Sequence, residues 1–533
     1  MTRINPVDFD VVIVGSGPAG VSAAFPLVDA GLRVLMVDGG RASQLLPPTG
    51  QYVDVRRQDF GQTEWMIGQN FYALSQSNAV TPKLRVPTHA AVFEGFESAN
   101  RIVADKFVAV GSLAQGGLSN TWGCGVARMT DRELATFPVE LSEMHASYAT
   151  VAKRIGVSGG SDDDLSDFFG LDEWSQAPVP IDSLHTSMLL RYARSRGNLI
   201  PRGFRLGRSR SAVLTTPQTD RQACNLCGNC LWGCGRRALY TATDDLKRLL
   251  GRPGFSYRSG FVVERIESHG DTVTISGVGN DGLGTVRARR VFLAAGTLAS
   301  TRLALQAINY RKPVRMQSCP IAFFMLWLPG HLGRRHEAAF GLGQLSYTQD
   351  LNADTQVYGS LFNTTGIPVS EVARQLPLGK RYSVDLLASL LTSCVVGNLF
   401  MPGILSDVHL QLDDDDQLVI SGGNRPEVEL LMRKAEHKLR MSFLKLGAVL
   451  VPTSFKVGRP GTDIHYSVSL PMSANPTLGQ TDQFGELVGT TGIHVVDGAS
   501  LSYLPAKAHT LTIMANADRI ARHVAANMVS IAN

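Results

Sequence analysis

The sequence lacks the charge imbalance that is typical of proteins that bind nucleic acids or acidic membranes. Its 51 basic and 46 acidic side chains leave a formal net charge of +5 over 533 residues. A charge this small, spread over such a length, predicts no basic surface that would attract polyanions. We therefore expect no nucleic-acid partner.

The sequence also lacks an apolar run that could cross a membrane, which needs about 20 residues. The apolar segment Ile321–Leu328 is too short to span a bilayer and is more typical of a buried strand. The first ten residues, MTRINPVDFD, contain no apolar core of a secretory signal. These features favour a cytoplasmic protein without transmembrane segments.

Cysteine is scarce as well. Seven cysteines are present, and four of them lie between positions 224 and 234. An odd count with this clustering is not the pattern of a secreted disulfide framework. Charged residues make up 18% and hydrophobic residues 44% of the chain, which excludes a disordered protein and allows a substantial core in one or two domains.

The N-terminal residues carry a complete dinucleotide-binding pattern. An apolar strand, Asp10–Val14, leads into the sequence G-x-G-x-x-G and a helix, and a second strand, Arg33–Val37, ends at Asp38. The motif glycines are Gly15, Gly17 and Gly20. They allow a tight turn, close approach to a pyrophosphate and close helix–strand packing, while a carboxylate at position 38 can accept from a ribose hydroxyl. The pattern predicts a Rossmann-like domain without separating FAD from NAD(P).

Three later segments resemble signature elements of the glucose–methanol–choline (GMC) oxidoreductases, and they occur in the order in which that family has them. They cover residues 116–123 (GGLSNTWG), 291–303 (VFLAAGTLASTRL) and 492–521 near the C-terminus. Because the last segment belongs to the family's FAD domain, the resemblance implies FAD as the cofactor. It implies cofactor contacts at Gly116, Gly117, Ser119, Asn120, Thr121, Trp122, Gly296, Asp497, His509 and Thr510.

The resemblance also implies an α/β (α+β) architecture with two domains. A discontinuous FAD-binding domain would cover residues 1–308 and be completed by 488–533. Residues 309–487 would form a substrate-binding domain with an antiparallel sheet and helices. Within it, the acidic run Asp413–Asp416 predicts a hairpin turn, and Pro426–Leu446 predicts an amphipathic helix that packs on the sheet.

Oxidation of an alcohol needs a base for the hydroxyl proton and a second polar group that fixes the oxygen. By resemblance to the family's H-P-x-G-T-x-x-M element, His465 is the general base, although the proline and glycine of that element are absent here. His509 falls near the family's second histidine or asparagine. Lys507 is a further candidate in that neighbourhood, and His494, inside a strand, is expected to be structural.

The glycine-rich segment 116–123, here called the flavin-like loop, contains no histidine. This predicts non-covalent FAD, because some family members attach the cofactor through a histidine in that segment. The form GGLSNTWG resembles members that act on sugars, cyclitols or glycosides, some of them in natural-product or polysaccharide biosynthesis. Alternatives are a sterol or long-chain alcohol, or a non-catalytic flavin or iron–sulfur protein; oxygen, a quinone or a redox protein could accept the electrons. The sterol alternative depends on an apolar wall of Phe323, Phe324, Leu326 and Trp327.

The clustered cysteines are Cys224, Cys227, Cys230 and Cys234. Their spacing is similar to that of ferredoxins and to the iron–sulfur segment of certain GMC sugar dehydrogenases. Four thiolates could also bind zinc in a tetrahedral site, or the cysteines could bind no metal. The sequence leaves these three interpretations open.

Overall fold

The computed structural model describes residues 7–42, 86–160, 162–334, 337–364, 379, 386 and 390–532. Its N-terminal strand, Phe9–Val14, lies inside a seven-stranded sheet, as the apolar pattern predicts. Alternate side chains of this strand enter two different apolar cores, so both of its faces are buried. In spatial order the strands of this sheet are Phe255–Arg258, Val34–Val37, Phe9–Val14, Gly282–Leu293, Thr272–Gly279 and Val262–His269, and Ile493–Val495 also pairs with Gly282–Leu293.

This central sheet joins parts of the chain that are distant in sequence. The C-terminal strand Ile493–Val495 runs parallel to Gly282–Leu293, with Val291 opposite Ile493. On one face the helix Pro18–Asp29 packs against the C-terminal helix Thr510–Ala532. The N-terminal and C-terminal segments therefore form one structural unit.

A second sheet is antiparallel and also has seven strands within the described residues. The helices Glu427–Lys445 and Ser183–Leu199 bury their apolar stripes on one of its faces. Its other face turns towards the loops of the central sheet. In spatial order its strands are Val449–Leu450, Ile321–Trp327, Cys394–Phe400, Gln356–Phe362, Gly343–Asp350 and Phe204–Arg208, and Lys456–Val457 also pairs with Ile321–Trp327.

Two smaller sheets and several helices complete the described chain. The five-stranded sheet contains Tyr466–Ser467, Val314–Ser318, Ser406–Leu412, Leu418–Asn424 and Ile102–Ala104, and the two-stranded sheet contains Val157–Ser158 and Ser175–Gln176. The remaining α-helices are Ala90–Phe93, Phe96–Ala99, Asp131–Leu134, Leu141–Ile155, Ser166–Phe169, Ala242–Leu250 and Thr297–Ala307.

Several sequence predictions are confirmed by these elements. The segment Ile321–Trp327 is a strand, the acidic run lies in the turn between Ser406–Leu412 and Leu418–Asn424, and Glu427–Lys445 is a helix packed on the antiparallel sheet. No helix in the described ranges is both long enough and apolar enough to cross a membrane. The division into domains at residues 308 and 487 stays a prediction.

Candidate active site

A cavity of about 620 Å³ lies where the loops of the central sheet meet the open face of the antiparallel sheet. This volume is within the usual range for small-molecule and cofactor sites, roughly 300 to 1,000 Å³. Its lining comes from the dinucleotide turn, the flavin-like loop, the start of the helix Thr297–Ala307, the segment 462–466 and the C-terminal residues 497–513. Both ends of the chain thus contribute to one cavity.

The dinucleotide turn requires glycine at two positions for steric reasons. Gly15 has φ +106°, and a Cβ there would lie 2.3 Å from the carbonyl oxygen of Ala294; a Cβ on Gly20 would lie 1.9 Å from the carbonyl oxygen of Gly15. Gly17 differs, because a Cβ there would meet nothing within 4 Å. Gly15 and Gly20 therefore permit the packing of strand and helix, and Gly17 leaves backbone exposed to the cavity.

Asp38 lies at the end of the strand Val34–Val37, beside this turn. Its Oδ2 accepts a hydrogen bond from Ser16 Oγ, and its Oδ1 accepts from Tyr257 Oη at 2.7 Å and from the amide of Gly40 at 2.8 Å. Burial raises the pKa of this carboxyl, although the hydrogen bonds act in the opposite direction. These donors fix the carboxylate at the cavity lining, where a ribose hydroxyl would be expected.

The flavin-like loop is fastened to the dinucleotide turn by hydrogen bonds. The amide of Gly116 donates to Ser16 Oγ at 2.9 Å, and Asn120 Nδ2 donates to the carbonyl oxygens of Gln115 and Gly117, both at 2.9 Å. Gly116 and Asn120 are not among the lining residues, so their role is to hold the loop in shape. The predicted contacts that do line the cavity are Gly117, Ser119, Thr121 and Trp122.

Asp497 connects the signature segment 291–303 to the C-terminal one. Its Oδ2 accepts from the amide of Gly296 at 2.8 Å and from Ser300 Oγ at 2.5 Å, and its Oδ1 accepts from the amide of Ala499 at 3.0 Å. Burial raises the pKa of Asp497 to about 6. Gly296, Asp497 and Thr510 all line the cavity.

The two predicted catalytic histidines lie side by side in the cavity. The ring centroids of His465 and His509 are 4.9 Å apart with the rings nearly perpendicular, and His465 stacks on Phe400 at 4.8 Å. Burial lowers the pKa of His509 to about 4, so its ring is neutral at neutral pH. Within the described residues, His509 Nδ1 has no hydrogen-bond partner.

Two other candidates lie outside the cavity. Lys507 is not a lining residue; it forms an ion pair with Glu133 at 2.9 Å and donates to the carbonyl oxygen of Phe168 at 2.9 Å. His494 is buried beside Phe292 with its Nδ1 3.1 Å from the carbonyl oxygen of Phe484, which fits the structural role predicted for it.

The cysteine cluster adjoins the cavity without lining it. Gly341, a lining residue, packs so closely on this segment that a Cβ there would lie 3.4 Å from the Cβ of Cys230. In the part of the chain that is described, no three of the four sulfur atoms lie within 4.8 Å of one another. Burial raises the pKa of Cys224 to about 11 and raises that of Cys230 as well, so these thiols are protonated at neutral pH unless a metal ion displaces the proton.

Sequence reasoning missed most of the cavity face of the antiparallel sheet. The part of this face formed by Gln356–Phe362 and Cys394–Phe400, the sheet wall, presents Tyr358, Ser360, Phe362, Val396, Asn398 and Phe400 to the cavity. Alternation along Cys394–Phe400 and Gln356–Phe362 was the signal that could have identified it, because side chains two residues apart share a face. The same rule corrects the apolar wall expected for a sterol. Phe323 lines the cavity, whereas Phe324 and Leu326 enter the core beneath the helices and Trp327 is not a lining residue.

Comparisons with known proteins support the fold. Residues 9–64 match the family described as pyridine nucleotide-disulphide oxidoreductase, a range that contains the glycine motif and Asp38. The crystal structure of pyridoxine 4-oxidase from Mesorbium loti aligns with 97% of this chain and 99% of its own, at a TM-score of 0.56 and 14% identity. No curated protein matches the sequence. The predicted mixed α/β fold, with a Rossmann-like sheet and an antiparallel sheet, is confirmed; at this identity the likeness extends to the fold alone.

Proposed function

We propose that this chain is an FAD-dependent oxidoreductase that converts a CH–OH group to a carbonyl. The observation that supports this most directly is the pair of imidazoles, His465 and His509, in the same cavity as a complete dinucleotide turn. When bound, FAD would supply the acceptor for a hydride from the alcohol carbon.

The residues present fit such a cofactor. Gly17 leaves the backbone open where a pyrophosphate needs close approach. Asp38 offers carboxylate oxygens at the sequence spacing from the glycine motif that is typical of the residue binding the ribose. The loop from Gly117 to Trp122 and the Asp497 region would hold the rest of the molecule. We propose non-covalent binding, which predicts that acid precipitation releases the yellow colour into the supernatant.

The two histidines would have different roles. His465 takes the hydroxyl proton of the substrate, since a base must lie within hydrogen-bond reach of that proton. His509, held neutral by burial, orients the substrate oxygen through hydrogen bonding. Phe400 supports the ring of His465 by stacking and so limits its rotation.

The sheet wall favours a polar alcohol. Tyr358, Ser360 and Asn398 bring hydroxyl and amide groups to the lining, beside the aromatic ring of Phe400. The hydroxyls of Tyr358 and Ser360 lie 3.2 Å apart and bond each other, and Asn398 Oδ1 accepts the amide of Ser360, so these groups are partly satisfied within the protein. A polar substrate could add hydrogen bonds to them, whereas a sterol or long-chain alcohol would add none. We therefore propose a substrate with several polar groups, such as a sugar, cyclitol or glycoside, and a hydroxylated aromatic ring such as pyridoxine is the second candidate because of the aromatic part of the wall.

Anaerobic reduction of the flavin by a panel of alcohols tests this function. The panel contains sugars, cyclitols, glycosides, pyridoxine, a sterol and a long-chain alcohol, and bleaching of the flavin absorbance is the readout. Replacing His465 by asparagine is expected to slow bleaching about 10²- to 10⁴-fold, whereas His269→Asn, on the surface, serves as the matched control. If no alcohol bleaches the flavin, the non-catalytic alternative is correct.

The electron acceptor and the cysteine cluster need separate assays. Oxygen consumption, compared with quinone reduction during turnover, distinguishes an oxidase from a dehydrogenase. The cysteine spacing leaves open an iron–sulfur cluster that would pass electrons from the flavin, beside the alternatives of zinc and of no metal. Iron and acid-labile sulfide are measured in anaerobically purified protein, and their absence in stoichiometric amounts would exclude the cluster.

A further inference from the structure

The loop that carries His465 contains a buried carboxyl group two residues earlier. Asp463 Oδ1 accepts a hydrogen bond from Ser318 Oγ at 2.7 Å, and its Oδ2 accepts from the amides of Cys319 at 2.7 Å and His465 at 3.1 Å. Asp463 is thus bonded both to the strand end at Ser318 and to the backbone of His465. These contacts fix the position of the His465 backbone.

The backbone around His465 adopts conformations that its residues disfavour. Ile464 has φ +56° and Val468 has φ +69°, the left-handed region in which β-branched side chains are outliers. Such conformations persist only where surrounding contacts impose them, and they are concentrated at functional sites. Here the contacts come from Asp463 on one side and from the hydrogen bond between the amide of Val468 and the carbonyl oxygen of Gly498, 3.0 Å long, on the other.

The Asp463 carboxyl is also close to the imidazole itself. One of its oxygens, Cys319 Sγ and a ring nitrogen of His465 all lie within 4.8 Å of one another. The other titratable groups nearby are His509, across from His465, and Tyr466, whose hydroxyl donates to the carbonyl oxygens of Val108 and Gly461 and so points elsewhere.

Of Asp463 and Cys319, which both lie near the ring of His465, Asp463 is the one that changes charge near neutral pH. Burial raises the pKa of Asp463 to about 7, and it raises the pKa of the Cys319 thiol well above its usual value, so the thiol stays neutral. At and above neutral pH, Asp463 therefore carries a negative charge in half or more of the molecules, and this charge faces the ring of His465.

We propose that Asp463 is a positioning residue of the active site, whose carboxylate fixes the strained loop that presents His465 and whose negative charge stabilises the imidazolium formed there. In the proposed reaction, the proton would move from the substrate oxygen to the imidazole while the O–H electron pair stays on that oxygen and forms the carbonyl, and bound FAD would supply the acceptor for the hydride of the carbon. Asp463 forms and breaks no bond in this step. The inference rests on the proposed role of His465 as the base.

Asp463→Asn separates charge from geometry. An asparagine can still accept both amides through Oδ1 and donate to Ser318 Oγ through Nδ2, so the hydrogen bonds are retained while the charge is lost. We expect this variant to keep bound FAD and an unchanged KM. The kcat should fall about tenfold, and the acid limb of the pH dependence of kcat/KM should move to lower pH, because a nearby anion favours protonated imidazole. The shift is smaller than the full charge coupling, because Asp463 itself gains a proton below about pH 7.

Two further variants keep the test decisive. Asp463→Glu retains the charge, so its acid limb is expected at the wild-type pH even where kcat is reduced. Ser318→Ala removes one donor to Asp463 without removing the charge, and it should also leave the acid limb in place. A limb that shifts equally in the Glu and Asn variants, or in neither of them, would overturn the charge role of Asp463.

The outcomes also separate this inference from the proposed function. If His465→Asn abolishes flavin reduction while Asp463→Asn keeps the wild-type pH profile, only the inference is wrong. If His465→Asn reduces the flavin as fast as the wild type, the proposed base is wrong and Asp463 has no such role.

Discussion

Replacing His509 by asparagine is expected to remove a pH dependence of stability that comes from one buried imidazole. The side chain is 6% exposed, and burial lowers its pKa in the folded chain to about 4. In the unfolded chain a histidine has a pKa near 6.5. Between roughly pH 4 and pH 6.5, the unfolded state therefore binds a proton that the folded state does not.

The sign and size of the effect follow from this difference in pKa. Because the unfolded state binds more protons, the free energy of unfolding rises with pH across that window, and the stabilisation is lost as the pH falls towards 4. A pKa difference of about 2.5 at about 1.4 kcal/mol for each pKa unit gives about 3 to 4 kcal/mol in full, of which about 3 kcal/mol falls between pH 4 and pH 7. Asp463 and Asp497, whose pKa values are raised, act in the opposite direction, because their stabilisation is lost as the pH rises.

The measurement is chemical unfolding of the FAD-loaded wild type and of His509→Asn at several pH values between 4 and 7. Subtracting the two free energies of unfolding cancels the carboxyl contributions, since both proteins contain them. The difference between wild type and variant should increase by about 3 kcal/mol from the acid to the neutral end. His269→Asn, at an exposed position, should give a flat difference; a flat difference for His509→Asn would refute the reasoning.

Three further predictions concern the glycine turn, the sheet wall and the strained loop. Gly15 has φ +106°, and a Cβ there would lie 2.3 Å from a carbonyl oxygen, so Gly15→Ala should weaken FAD binding about tenfold or more in fluorescence titrations. The control is Gly31→Ala, where φ is +79° and the added Cβ would meet no atom within 4 Å. This control should lower the free energy of unfolding by about 1 kcal/mol and leave FAD affinity unchanged. Asn398→Ala should lower kcat/KM for polyhydroxy alcohols about tenfold, and it should lower kcat/KM for a long-chain alcohol far less. Equal losses for the two kinds of alcohol would contradict a contact between Asn398 and polar substrates. Ile464→Gly should lower kcat without lowering the melting temperature, because glycine tolerates φ +56° and also allows the loop to adopt other conformations. Unchanged kinetics would show that the strain has no functional consequence.

Much of the fold was accessible from local patterns. The strand Phe9–Val14 and the helix Glu427–Lys445 follow from periodicities of two and 3.6 residues, which depend only on neighbouring positions. The spacing of Gly15, Gly17 and Gly20 likewise predicted a tight turn, and the structure shows a steric requirement for glycine at Gly15 and Gly20. The resemblance to a known family supplied the two histidines, which no periodicity would have singled out.

Other features depend on contacts between segments that the sequence does not relate. The sheet wall is formed by side chains from separate strands, and its polar character arises only when Ser360 and Asn398 lie next to each other, with the Ser360 amide donating to Asn398 Oδ1 at 2.7 Å. Lys507 was a reasonable candidate beside His509 in sequence. The ion pair with Glu133, more than 370 positions away, directs it elsewhere.

Strands, helices and tight glycine turns can be located from the sequence alone, because they depend on the side chains and backbone conformations of adjacent residues. Which groups share the cavity, and how they ionise, depends on how distant segments pack. Burial, partly offset by hydrogen bonds, brings the pKa of Asp463 to about 7, and burial lowers that of His509 to about 4. The free energy of a charge depends on its distance from water and from other charges, and that distance exists only after distant parts of the chain have packed together.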